Sequence, residues 1–171
     1  STVAPVYVEP VFSSEMVTQA LIWENVQVLE IDGNWYQIRM EDMYDGWIHS
    51  FYLHHRDPAV DQYTFITKRA VPIFQEMDKM DTIIALLPFG AYVPKTDNTD
   101  DFSKIYLPDG KTAYMEPQEK VVQKCRETII ELAISLLGVP YLWGGRSSFG
   151  YDCSGFVQMV LKTAGIDIPR D

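Results

Sequence analysis

The sequence predicts an α+β protein, with two small β-barrels in tandem followed by a helical segment. Three observations carry this. Residues 1–62 hold short apolar runs, alternating or rich in β-branched and aromatic residues, broken by turn residues and without a helical period. Residues 63–117 repeat that pattern at a period of about 65 residues, too long for a solenoid and suited to two barrels. From residue 118 the apolar period changes to three and four.

In residues 1–62, Val6-Tyr7-Val8, Val26 to Ile31 and Trp35 to Met40 read as strands, with Asp32-Gly33-Asn34 as the hairpin turn between the last two. Tyr44-Asp45-Gly46-Trp47-Ile48 reads as a turn entering another strand. In residues 63–117, Ala70 to Phe74 matches Ala4 to Tyr7, and Ala85 to Val93 matches Ala20 to Val28. Phe102 to Ile105 matches Trp35 to Ile38, and Asp109-Gly110 to Tyr114 matches Asp45-Gly46-Trp47-Ile48. Each copy alone has a thin core, so packing against a neighbour is expected. In residues 118–171, Val121, Val122, Cys125, Ile129, Leu132, Ala133, Leu136 and Leu137 predict an amphipathic helix over about Gln118–Leu137, stopped by Gly138. Val139 to Arg146 cannot be helical throughout. Asp152-Cys153-Ser154-Gly155 opens a second helix with Phe156, Val157, Val160, Leu161 and Ala164 as its apolar face and Gly165 as its end.

Composition narrows the function. With 47% hydrophobic residues the chain is too apolar to be disordered. It carries 24 acidic against 14 basic residues, a formal charge of −10, which argues against nucleic acid as a partner. No uncharged apolar run approaches the roughly 18 residues of a membrane span. Two cysteines, with no CxxC or Cys/His cluster, make neither a disulfide scaffold nor a structural zinc site. The acidic stretch Thr96 to Asp101 lacks the ligand spacing and glycine of a calcium loop and reads as a solvated hairpin tip.

The chemistry concentrates at Cys153. Asp152 is a good N-cap, which puts Cys153 in the first turn of a helix, where partial positive charge and unpaired N–H groups stabilise a thiolate. The same N–H groups can receive an oxyanion after attack on a carbonyl. Tyr141, Trp143, Gly144 and Gly145 put an aromatic wall and a pliable backbone just upstream. On the residues alone two readings stand, a nucleophile or a buried inert cysteine. Cys125, on the apolar face of the first helix, reads as core; His49, His54 and His55 read as exposed polar residues of the first barrel.

Pro140-Tyr141-Leu142-Trp143-Gly144-Gly145 with Gly150-Tyr151-Asp152-Cys153-Ser154-Gly155-Phe156-Val157 resembles the nucleophile region of the NlpC-type cell-wall cysteine peptidases. The tandem barrels resemble the bacterial SH3-like domains of one subgroup, the γ-D-glutamyl-diamino acid endopeptidases or dipeptidyl-peptidase VI enzymes. Ser14 to Leu21 resembles the opening of their first SH3-like domain. The resemblance implies three domains: SH3-like at 1–62, SH3-like at 63–117, and the helical N-terminal part of a papain-like α+β peptidase domain at 118–171. It implies Cys153 as the nucleophile and Tyr141, Asp152 and Ser154 as substrate contacts. It places Glu15, with Tyr52 as a weaker partner, on the free amine of the peptide. The implied substrate is a murein peptide with a free N-terminal L-Ala, cut at the γ-D-glutamyl bond to diaminopimelate or lysine.

The family's base is a histidine on strands that follow the nucleophile helix, and none of His49, His54 and His55 matches it. The chain is therefore expected to stop within the domain, to leave an apolar face of the nucleophile helix uncovered, and to be inactive alone. The alternative is a non-catalytic module that binds wall peptides. No cofactor is implied, because thiolate chemistry needs none. Ser1 to Pro5 is no signal peptide, so both the bacterial envelope, periplasmic or secreted, and the cytoplasm remain open.

Overall fold

The structure is a computed structural model that describes residues 1–55, 62–77, 82–98, 101–118 and 125–170. Its bulk is β-sheet, with two helices near the C-terminal end.

The first sheet contains β1 (Val3–Tyr7), β2 (Met16–Leu21), β3 (Val26–Asp32), β4 (Trp35–Met40) and β5 (Asp45–His49), in the order β2-β1-β5-β4-β3. A 3₁₀ turn follows at Ser50–Tyr52. The second sheet contains β6 (Tyr63–Phe65), β7 (Ala70–Phe74), β8 (Ile83–Pro88), β9 (Tyr92–Asn98), β10 (Ser103–Tyr106) and β11 (Thr112–Met115). Its order, β6-β9-β10-β11-β7-β8, is the first order read from the other edge, with β6 added beside β9.

Strand register fixes the repeat more tightly than residue likeness does. Tyr7 lies opposite Trp47 and Phe74 opposite Tyr114; Ile38 lies opposite Gly46 and Ile105 opposite Ala113. Each pair of equivalents is 67 residues apart. A register shift after Val6 recurs after Ile73. Left-handed backbone at Trp23 and Met43 recurs at Gly90 and Gly110. The period of about 65 is thereby corrected, and so is the pairing of Asp109-Gly110 with Asp45-Gly46. Gly110 sits in the turn before β11 and corresponds to Met43, while Gly46 lies inside β5 opposite Ile38 and corresponds to Ala113. The Asp-Gly dipeptides look alike, but the pleat decides register, because a one-residue slip turns every core side chain outward.

Two cores result. The larger joins Ile66, Val71, Leu87, Phe89, Ile105 and Met115 of the second sheet to Leu132, Leu136, Met159 and Val160 of the helices. The smaller, inside the first sheet, holds Ala4, Val6, Ala20, Ile38, Met40 and Ile48. The same corner of each sheet faces onward. Trp23 donates its indole N–H to the Tyr106 carbonyl of the second sheet at 3.1 Å. At Gly90 a Cβ would collide with Met159 of the second helix.

Helix α1 covers Arg126–Ser135, shorter than the predicted span, whose residues 119–124 lie outside the described residues. Cys125 is its N-cap, half-buried and 3.2 Å from the Thr128 hydroxyl, so it is not core. Leu132 and Leu136 face inward, whereas Ile130, Ile134 and Leu137 are exposed. A short hairpin, β12 (Arg146–Ser147) and β13 (Gly150–Tyr151), precedes α2 (Cys153–Thr163). The inward face of α2 is Gly155, Gln158, Met159, Val160 and Thr163; Val157 points outward, against expectation. Of the acidic stretch, residues 96–98 are in β9 rather than at a hairpin tip, and residues 99–100 lie outside the described residues.

Candidate active site

Asp152 has extended backbone (φ −88°, ψ −177°), and its Oδ1 accepts from the Gly155 N–H at 2.7 Å, closing the cap. Cys153 is thus the first residue of α2, with its side chain exposed and the helix N-terminal amides behind it. Gly155, two residues on, faces inward, where a Cβ would collide with the Gly145 carbonyl. The segment upstream is bound to the hairpin: Tyr151 N–H donates to Pro140 O at 3.1 Å, Leu142 N–H to Tyr151 O at 2.9 Å and Asp152 N–H to Gly145 O at 3.0 Å. These bonds lay Tyr141 beside Tyr151. The result is an apolar pocket of about 330 Å³ around Cys153, lined among others by Tyr141, Asp152, Phe156, Leu136 and Val139.

The predicted site residues separate into two groups. Tyr141, Asp152 and Cys153 share this pocket, with Tyr141 67% exposed. Ser154 adjoins it, and its hydroxyl donates to Asp152 Oδ1 at 3.3 Å. Glu15 is reached through Trp143, whose indole N–H donates to Glu15 Oε1 at 2.7 Å across the seam between the first sheet and the Cys153 loop. Gly144, next along, adopts φ +67° and lies so close to Met16 O that a Cβ would collide with it. Tyr52 is elsewhere. It lines a second cleft of about 800 Å³ between the two sheets, together with Trp23, Ser50, His54 and His55. Burial and the neighbouring Tyr7 push its phenol up. His54 and His55 are exposed, whereas His49 is half-buried in a run of rings with Phe12, Trp35 and Phe51. None of the three lines the Cys153 pocket.

Residues 138–171, which carry this geometry, match the NlpC/P60 family, and residues 6–51 match the bacterial dipeptidyl-peptidase SH3 domain. The segment that carries Cys153 is thus similar to NlpC/P60. A γ-D-glutamyl-L-lysine dipeptidyl-peptidase of Bacillus cereus is 25% identical over 93% of this chain and 54% of its own length. A dipeptidyl-peptidase 6 of Lysinibacillus sphaericus is 29% identical over 98% of this chain and 69% of its own. The chain thus spans about half the length of the first of these relatives. The crystal structure of an NlpC/P60 family protein from Bacillus cereus superimposes with a TM-score of 0.86 at 20% identity, covering 99% of this chain and 72% of that one. The fold is therefore NlpC/P60-like.

Sequence reasoning missed how the Cys153 segment is fastened to the first sheet. Arg146, 2% exposed, donates from Nη1 to both Glu24 oxygens at 2.8 Å and from Nε to Gln158 Oε1 at 2.6 Å. Its backbone N–H donates to Gln19 Oε1 at 2.9 Å. Lys162 Nζ donates to Glu24 at 2.8 Å, and Gln158 Nε2 to Asp42 Oδ2 at 2.8 Å. Burial works to raise the Glu24 carboxyl, but Arg146, Lys162 and the Leu21 N–H outweigh it and hold the group at about 2. Burial pushes the Tyr151 phenol up, against the pull of Arg146. The available signals were an arginine directly after two glycines and a glutamine on the inward stripe of α2. Neither signal names its partner.

Proposed function

We propose that this chain supplies the substrate-recognition wall and the nucleophile of a cysteine peptidase of the bacterial envelope. It would hydrolyse the γ-D-glutamyl–diamino acid bond of murein peptides with a free N-terminal L-Ala. In this reading the two sheets are tandem SH3-like barrels, residues 1–62 and 63–117, and residues 118–171 are the helical part of a papain-like domain. The names of the relatives support the substrate class.

The observation that carries the reading is an exposed thiol on the first turn of a capped helix, opening into a pocket beside Tyr141. The Cys153 thiolate attacks the γ-carbonyl carbon, and first-turn amides receive the oxyanion. The C–N bond then breaks, the leaving amine takes a proton, and water hydrolyses the thioester. The proton carrier is a histidine by family resemblance, and among the described residues no histidine lines the pocket. Trp143 occupies one Glu15 carboxylate oxygen, and in this reading the other is left for the substrate ammonium, two residues from the scissile bond. In this reading Tyr52 takes no part; it lines the other cleft. The second reading is a module that binds wall peptides without cutting them; it draws on the pocket having no histidine among the described residues.

The test uses L-Ala-γ-D-Glu-L-Lys and its N-acetylated form with the protein at its natural length. Release of lysine that vanishes in Cys153→Ala is expected, with weak or no cleavage of the acetylated peptide. Glu15→Gln is expected to cost about 2 kcal/mol on the free-amine substrate alone, the scale of a charge-assisted hydrogen bond. Binding without cleavage would select the second reading, and equal rates on both peptides would remove the amine site.

A further inference from the structure

We propose that Arg170 is the positioning residue of the nucleophile turn, and that it works as a strut wedged between the first sheet and Asp152. The inference rests on reading Cys153 as the nucleophile. The two carboxylate oxygens of Asp152 have different tasks. Oδ1 caps α2 through the Gly155 N–H and the Ser154 hydroxyl. Oδ2 accepts from Arg170 Nη2 at 2.5 Å. A carboxylate held at one oxygen by a guanidinium cannot swing about its Cβ–Cγ bond, so the capping oxygen stays aimed at the first turn.

The strut is itself held. Arg170 is 4% exposed, and its guanidinium carbon lies 5.7 Å from the centre of the Tyr44 ring, on the turn between β4 and β5. The same turn supplies Asp42 to Gln158, and the Gln158 side chain also donates to Ile168 O at 3.3 Å, two residues before Arg170. Arg170 Nη1 is buried without a hydrogen-bond partner among the described residues and packs toward Gly155, where a Cβ would stand 2.9 Å from it. A buried unpaired donor costs free energy. The group therefore occupies a place fixed by its other contacts rather than one chosen by its own hydrogen bonds. The first sheet thus reaches the thiol along a second route, separate from the Trp143 seam: Tyr44 to Arg170, Arg170 to Asp152, Asp152 to the turn that carries Cys153.

The experiment measures iodoacetamide alkylation of Cys153 and Cys125 in the protein at its natural length by peptide mass mapping, with near-UV circular dichroism to confirm folding. Cys153 in the unaltered chain is expected to react about ten-fold faster than Cys125, as an exposed thiol at a helix N-terminus does. Arg170→Met is expected to slow Cys153 about five-fold or more and leave Cys125 unchanged, because it frees Asp152 Oδ2 and with it the aim of the cap that holds the first-turn amides. Arg170→Lys is expected to restore part of the rate. Tyr44→Leu is expected to slow Cys153 less than Arg170→Met and covers the case in which Arg170→Met does not fold. Folded variants that alkylate Cys153 at the unaltered rate would overturn the strut and leave the nucleophile reading standing. Cys153 no faster than Cys125 in the unaltered chain would overturn both.

Discussion

The two sheets have one topology at an offset of 67 residues, yet opposite physics fastens them to the helices. The second sheet shares a continuous apolar core with α1 and α2, in which Phe89, Leu87 and Met115 meet Leu136 and Met159. The first keeps a small core of its own, adds Leu21 to the larger one, and reaches the Cys153 segment through Arg146, Glu24, Lys162, Asp42 and two glutamines. Apolar burial is proportional to area and indifferent to direction. A buried guanidinium is the reverse: it demands particular acceptors at particular angles, and it is costly when one is missing. The sheet that presents Glu15 to Trp143 is thus placed mainly by directional bonds, and the sheet that supports the helices mainly by apolar burial, with the Phe89 N–H to Ser148 Oγ bond beside it.

Arg146→Met should break this contrast most strongly. It leaves Glu24 with Lys162 as its remaining cation and strands the Gln158 side-chain oxygen and the Gln19 carbonyl, so a loss of about 3–5 kcal/mol is expected in urea unfolding, the scale of a buried pair with one partner removed. A loss under about 1 kcal/mol would show that the first sheet is held by packing after all. Acid sharpens the same contrast. The Glu24 carboxyl is held at about 2, below its ordinary 4.5. Its contribution is therefore present above about pH 5 and drains as pH falls through 4.5 towards 2, up to about 3 kcal/mol in all. Urea midpoints at pH 7 and pH 3 measure it, and Arg146→Met should flatten that dependence because it removes the main cause of the depression. The smallest effect compares the turns. Met43, 68% exposed, holds a left-handed backbone where the second sheet uses Gly110. Met43→Gly should raise stability by about 0.5–1 kcal/mol, and Gly110→Met should lower it by a similar amount.

What could be read from the sequence was chemistry between near neighbours. Asp152 as a cap, Cys153 on the first turn, Gly165 as a stop and the Gly33-Asn34 hairpin each depend on a few adjacent residues, and each is found where the residues put it. The repeat was visible in kind, but its period was read about two residues short and the Asp-Gly pairing three, because dipeptide likeness is a weaker constraint than the pleat. The fastening of the first sheet was not visible. Glu24 and Lys162 stand 138 positions apart, and a lone charge in a sequence carries no mark of its partner. Gln158 looked like a polar gap in an apolar stripe, and only the fold turns that gap into the centre of a network. Tyr52 was grouped with Glu15 on one barrel, but the 3₁₀ turn sends it to the opposite cleft.

The corner at Trp23 and its counterpart at Gly90 have a further consequence. Each lies on the module that comes next in the chain, the first on the Tyr106 carbonyl and the second on Met159. A contact in which one surface of a unit meets a different surface of its successor is head-to-tail, and such contacts translate a unit along a line instead of pairing two units about an axis. The repeat therefore carries a direction, while α2 meets the first sheet as well, through Asp42 and Glu24. The side chain at the corner acts as the spacer between successive floors. An indole keeps two sheets a ring's width apart, and a bare glycine lets a sheet come down onto a helix, so exchanging the two residues would shift the floors while leaving each one intact.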